Sequence, residues 1–340
     1  MQACNCYFGH LRSKFCRFTQ IMKWGLVILG YIVIIQFLHE EWKLLTATQS
    51  LGNMDHCFIT AFYDIGRGEW ENNPFKRTNT KYLDYFERFV RFPQPLLIFI
   101  DETLLGNVTN LVATHRQGIL TWIIPINETF LLENMRMWSL IEKEKEIMSS
   151  PKYQMMIKHR IHHPEHNNPR YTLINHAKVD FMIYGIHWLE NKNFHFKRYS
   201  WIDFGYFHES YFRPKSFTLH LDELLPNQNI TYFIMGDLNE AYANPFYILV
   251  KAPDLVTGGF FSGTKSVLEE YRDEYFKAVK IHQDFFGIAN DDQDIISYIY
   301  YNQWNRFNFI RVSSYKHAFL YLCDYVPDKV NNDSIPPVRN

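Results

Sequence analysis

The sequence has almost no excess of either charge: 35 Lys and Arg face 36 Asp and Glu over 340 residues, a formal charge of -1. A nucleic-acid binder needs a basic footprint to neutralise phosphates, so this balance argues against such a partner. The chain also lacks Gly/Ser-rich linkers, heptads and internal repeats, which excludes coiled coils, solenoids and strings of tethered modules. Cysteine is scarce. Of five cysteines, Cys4, Cys6 and Cys16 sit near the N-terminus and only Cys57 and Cys323 follow, too few for a disulfide-stapled scaffold and without zinc-ligand spacing.

Apolar material is abundant. Hydrophobic residues make up 47% of the chain and aromatics 17%, enough to build a ring-rich core and to exclude a disordered tail. Residues 1–38 carry Arg12, Lys14, Arg17 and Lys23 without an acid, and 24–38 hold fifteen residues without a charge. At about 1.5 Å per residue that run covers roughly 22 Å, short for a bilayer core but feasible in thinner early-secretory membranes. The basic flank precedes it, so the positive-inside rule keeps the N-terminus cytoplasmic. A cleaved signal peptide and a buried core helix are the competing readings, but no clean cleavage site follows and the run is apolar all round.

The organisation expected is therefore a cytoplasmic tail (1–23), a transmembrane signal anchor (24–38), a stem (39–55), a lumenal domain (56–325) and a C-terminal tail (326–340). That describes a single-pass type II protein of the ER or Golgi, with the membrane as one partner. Sequons at Asn107, Asn127, Asn229 and Asn332 all lie beyond the anchor and suit a glycoprotein; Asn107 and Asn229 are expected in turns. The three N-terminal cysteines are candidates for palmitoylation. Cys57 and Cys323 form either one disulfide or two buried free thiols.

Beyond the stem, apolar and β-branched runs predict strands at 58–63, 95–100, 119–124, 199–203, 230–235 and 307–312. Helical spacing predicts helices over 79–91, 129–149 and 175–189. Strands alternating with helices give an α/β fold, a mostly parallel sheet with helices on both faces. Ligands of such sheets bind at the carboxyl ends of the strands, where Asp64, Asp101 and Asp203 fall.

Asp203 closes a hydrophobic strand and is followed by Phe204 and Gly205, leaving a carboxylate at a strand tip. Two further segments add weight: the glycine-rich 256–263, expected to let backbone approach a substrate, and Asn290-Asp-Asp-Gln-Asp294, with more acids than a helix cap needs. The run His159-Arg-Ile-His-His-Pro-Glu-His166 invites a zinc reading, but its prolines and asparagines predict a solvated loop, lid-like over the cleft.

The segment 58–68, Lys178, Trp201-Ile-Asp-Phe-Gly205, Gly258-Gly-Phe-Phe-Ser-Gly263 and Asp291-Asp-Gln293 resemble the HtrL/YibB (WlaTC) family over about residues 56–325, a group that itself resembles glycosyltransferases of the GT-A type. The resemblance implies a nucleotide-sugar donor and a glycan or glycoprotein hydroxyl as acceptor. It places Thr60, Phe62 and Asp64 beside the nucleotide, and Arg67 and Lys178 on the diphosphate. Gly258 and Gly259 form the acceptor wall. Asp292 is the base, with Asp291 as substitute, or a stabiliser of the sugar centre if the transfer retains configuration. Asp203 and His317 ligate Mn²⁺ or Mg²⁺, although the second acid of Asp-x-Asp is missing. A catalytically degenerate lumenal binding or scaffold protein is the alternative. A metal-dependent hydrolase shares the acids but lacks paired-metal spacing.

The topology is open to direct test. Glycosidase treatment of the membrane-inserted full-length protein is expected to increase its gel mobility. Unmodified asparagines at all four sequons would count against a lumenal body.

Overall fold

A computed structural model describes residues 56–70, 74–208, 228–251, 255–314 and 318 of the chain. The anchor, stem, His317, Cys323 and Asn332 lie outside those residues. Among the described residues no helix is long and apolar enough to cross a membrane.

Seven strands form one sheet: β1 (His56–Phe62), β2 (Leu96–Asp101), β3 (Thr121–Ile126), β4 (Arg198–Ile202), β5 (Ile230–Ile234), β6 (Val256–Gly263) and β7 (Phe307–Arg311). Their order is β3-β2-β1-β4-β6-β5-β7. Neighbours pair in parallel except β6, which runs antiparallel to both β4 and β5. The main helices are α1 (Asn79–Phe89), α2 (Leu105–His115), α3 (Glu128–Asn134), α4 (Ile141–Ser149), α5 (Pro169–His176), α6 (Lys178–Asn191), α7 (Lys265–Lys280) and α8 (Asp292–Asn302).

The interior strands bury both faces because their side chains alternate between two helical layers, while the edge strands β3 and β7 stay half-buried. Phe58, Ile98, Ile100, Ile202, Phe233 and Phe260 join Phe86 and Phe89 of α1 and Val108 of α2 in one cluster. Their chain neighbours point the other way. Phe99 meets Phe181 of α6 at 5.1 Å between ring centroids, Trp201 stacks on Phe261 at 6.2 Å, and Tyr232 bonds Tyr271 of α7 through their hydroxyls. The expected α/β class, mostly parallel sheet and helices on both faces are thus observed.

Three expectations need correction. The helix over 129–149 is two helices, because the chain breaks where Met137 N–H donates to buried Asp180 at 2.8 Å and Trp138 Nε1 donates to Glu128 at 3.0 Å. Residues 256–263 form an interior strand rather than a turn; glycine hides the alternation from which a strand is recognised. Asn107 lies exposed in α2, not in a turn. Asn127 caps α3 by accepting from Phe130 N–H at 3.0 Å, and Asn229 immediately precedes β5.

Cys57 is a free thiol buried in β1, its Sγ 3.4 Å from Phe58 O. Its expected partner Cys323 lies outside the described residues.

At the amino edge of the sheet, Arg116 gathers loose chain ends. The residue is 3% exposed, and its guanidinium donates to the carbonyls of Val90, Phe92, Gln94 and Leu120 and to Thr121 Oγ1. One fork of donors thereby satisfies the turn after α1 and the entries to β2 and β3. Arg116→Met keeps the stem and strands those acceptors. It is expected to destabilise the protein by roughly 3 kcal/mol, read as a lower denaturation midpoint at unchanged slope.

Candidate functional site

The carboxyl edge of the sheet opens into a cleft of about 260 Å³. Its wall includes Phe62, Asp64, Arg67, Lys178, Asp203, Gly258, Gly259, Asp291 and Asp292. Thr60, expected there, is fully buried inside β1 and does not line it. His317 lies outside the described residues.

The cleft centres on Lys178, the first residue of α6. Its Nζ donates to Asp292 Oδ2 at 2.8 Å, to Gly258 O at 3.0 Å and to Asp203 Oδ2 at 3.3 Å. A cation at a helix N-terminus opposes the helix dipole. Burial also pulls its pKa down, but the nearby charges of Asp203 and Asp292 outweigh this and hold the ammonium above its ordinary range. The lysine is therefore a fixed positive charge flanked by two acids.

Each partner arrives by its own route. Asp203 immediately follows β4, where its N–H donates to Gly259 O at 2.9 Å and its Oδ1 accepts from Trp201 Nε1 at 2.7 Å. Because β6 is antiparallel to β4, it begins at this edge and brings Gly258 and Gly259 alongside. Gly258 admits no side chain: a Cβ there would lie 2.3 Å from Asp292 Oδ2. Asp292 opens α8, and Asp291 caps it by accepting from Asp294 N–H at 2.9 Å. The loop before the cap is pinned by His176. Its Nε2 faces Asn290 O at 3.0 Å and so carries the proton, leaving Nδ1 to accept from Tyr275 OH at 2.8 Å. Burial pushes His176 down to about 4, so it is neutral at pH 7.

The loop after β1 forms the opposite wall. Asp64 accepts from Gly66 N–H at 2.8 Å and Asn79 Nδ2 at 2.7 Å, so its carboxylate shapes the loop. Asp101 is likewise structural, accepting from Asp64 N–H and from Thr103. Arg67 is buried, donating to Phe75 O and Tyr82 OH at 2.7 Å each, with its guanidinium over the Trp70 and Tyr171 rings. Tyr63, Arg170 and Trp138 converge on Glu128 beside it.

Sequence reasoning gave no individual role to Trp201, Tyr82 or Glu165, although all three line the cleft. Trp201 stands two residues before Asp203 on the same side of its strand, a spacing that could have indicated it. Glu165 lies in the histidine-rich run expected over the cleft, and Tyr82 carries no local signal. In the histidine-rich run, His159 and His162 are solvated as expected. His166 instead sits in the core, 2.9 Å from Tyr153 OH, and burial pushes it down to about 3.

Fold and site together define an α/β protein with a charged cleft at the carboxyl edge of a mixed sheet. The sequence matches the family described as "Bacterial protein of unknown function (HtrL_YibB)" over residues 54–321. The chain belongs to the HtrL/YibB family. Protein HtrL of Escherichia coli (strain K12) is 26% identical over 273 residues, covering 78% of this chain and 90% of that protein. The crystal structure of mouse Xyloside xylosyltransferase 1 in its apo form superposes with a TM-score of 0.41 at 11% identity, covering 84% of this chain and all of that one. That likeness is too loose to carry an argument.

Burial and the charge of Asp292 push Asp291 up to about 7. Its folded pKa thus exceeds its unfolded value near 4. The stability it contributes is full below that value and is lost as pH rises through about 7. Asp291→Asn keeps the cap and is expected to flatten the fall in stability over that range, read from denaturation midpoints. An unchanged slope would show that Asp291 is not the titrating group.

Proposed function

We propose that this protein is a nucleotide-sugar-dependent glycosyltransferase of the GT-A type, acting on a hydroxyl of a glycan or glycoprotein. The observation that carries the proposal is the meeting of Lys178, Asp203, Gly258 and Asp292 within hydrogen-bond reach in one cleft. In sequence, 114 residues separate Lys178 from Asp292. Each residue alone has a bland explanation; their convergence in a concave site is what functional sites have in common.

The chemistry follows from the charges. In transfer, the bond from the anomeric carbon to the diphosphate oxygen breaks and its electron pair leaves with the diphosphate. The acceptor oxygen bonds that carbon and releases a proton. Lys178 and Arg67 are the cations that offset charge on the leaving group. Phe62 and the loop at Asp64 border the nucleotide, and Gly258 and Gly259 leave room for the acceptor. Asp291, raised to about 7, is matched to accept a proton near neutrality. Asp292, tied to Lys178, is the reserve. The type II topology in the ER or Golgi belongs to the same proposal.

A second reading has one observation behind it. Both acids are satisfied by Lys178 without a ligand, as suits a transferase fold that binds without turnover. A screen of UDP- and GDP-sugars separates the two. One donor should raise the melting temperature of the purified protein and support transfer. Asp203→Asn is expected to lower kcat by about 10²-fold or more with little change in stability. Donor binding without turnover would favour the binding protein, and wild-type turnover in Asp203→Asn would make that acid structural.

A further inference from the structure

In an Asp-x-Asp site a second acid two residues on completes the cation's ligands. Here that place is filled. A Cβ on Gly205 would lie 3.0 and 3.1 Å from carbons of the Tyr82 ring. Tyr82 is itself held by Arg67 at 2.7 Å and by the Phe62 ring at 4.7 Å. Phe204 turns into the core and stacks on Phe86, centroids 4.2 Å apart and planes within 2°. Neither position can present a ligand beside Asp203.

What does stand beside Asp203 is an ammonium. Lys178 has three N–H donors and three acceptor groups, on β4, β6 and α8, within 3.3 Å. Asp203 Oδ1, itself 3.2 Å from Nζ, also accepts from Trp201 Nε1. A hard divalent cation asks for about six oxygens at roughly 2.0–2.6 Å. The oxygens here already surround a cation, and a second one would meet strong repulsion at contact distance. The described residues also contain no group of three His, Cys, Asp or Glu able to hold a metal. The expected roles of Asp203 and Mn²⁺ or Mg²⁺ do not fit this site.

Building on the transferase reading, we propose that Lys178 stands where a divalent cation would, so that the cleft takes a nucleoside diphosphate without metal. Asp203 and Asp292 are then positioning residues that hold the ammonium, and Arg67 supplies a second positive charge on the opposite wall.

The test uses the full-length protein with Mn²⁺, UDP and GDP as probes. Mn²⁺ binding is followed by electron paramagnetic resonance, with and without nucleotide, and melting temperatures are compared in Mn²⁺ and in excess EDTA. Wild type is expected to bind no Mn²⁺ in the cleft, and one nucleotide is expected to stabilise it equally in both media. Lys178→Met vacates the place and should gain Mn²⁺ affinity by at least about tenfold, a gain abolished by adding Asp203→Asn. Stoichiometric Mn²⁺ on wild type that Asp203→Asn removes would overturn the proposal. So would nucleotide stabilisation that EDTA abolishes, or a folded Lys178→Met with no gain. If Lys178→Met does not fold, the wild-type measurements alone decide. Absence of stabilisation by either nucleotide in any medium would instead defeat the transferase reading, while the Mn²⁺ titrations still judge the ammonium.

Discussion

A lysine ammonium held between two carboxylates and a backbone carbonyl ties four separate elements at the carboxyl edge of the sheet. Lys178 enters from α6, Asp203 from β4, Gly258 from β6 and Asp292 from α8. A buried charge is tolerated only when paired and hydrogen-bonded, so buried Lys178 and Asp292 hold each other in place. The constraint reaches into the backbone. Only glycine fits at 258, where any side chain would strike Asp292. Burial, and then the charge of Asp292, make Asp291 next door hold its proton to about 7.

The aromatic layers supply the rigidity this arrangement needs. Trp201 packs between Phe181 and Phe261 while its indole N–H fixes Asp203, so one side chain serves both core and cleft. Tyr82 does the same on the other side, packing on Phe62 while its hydroxyl oxygen accepts from the Arg67 guanidinium. In both cases a large ring is held by packing and its polar end orients a charged group, a division of labour suited to Tyr and Trp. The antiparallel course of β6 is equally consequential. A parallel strand in that position would deliver its carboxyl end to the edge, whereas β6 delivers its first residues, the glycine pair.

Buried titratable groups extend behind the cleft. His176 and His166 are both neutral through burial, and each bonds a tyrosine hydroxyl. Tyr153 also donates to Ala289 O at 2.7 Å. These contacts hold residues 289–290 from two sides, just ahead of the acids at 291 and 292. The precision of the acid pair thus depends on polar contacts in the layer below it.

Much of the fold was legible in the chain alone. Apolar runs of five or six residues marked six of the seven strands, most clearly β2, β4 and β5, which are buried on both faces and so need no alternation. Asp203, the glycine pair and Asp291-Asp292 stood out because each places an unusual residue type at the end of a regular element. The strand at 256–263 was hidden by its glycines, and the break at Met135–Met137 by its dependence on Asp180, far along the chain. Only the tertiary structure decided that Lys178 faces these acids, and that Tyr82 fills the space beside Gly205. Those outcomes rest on contacts between residues dozens to more than a hundred positions apart. Local sequence sets what each segment prefers; which segments meet is set by the packing of the whole sheet.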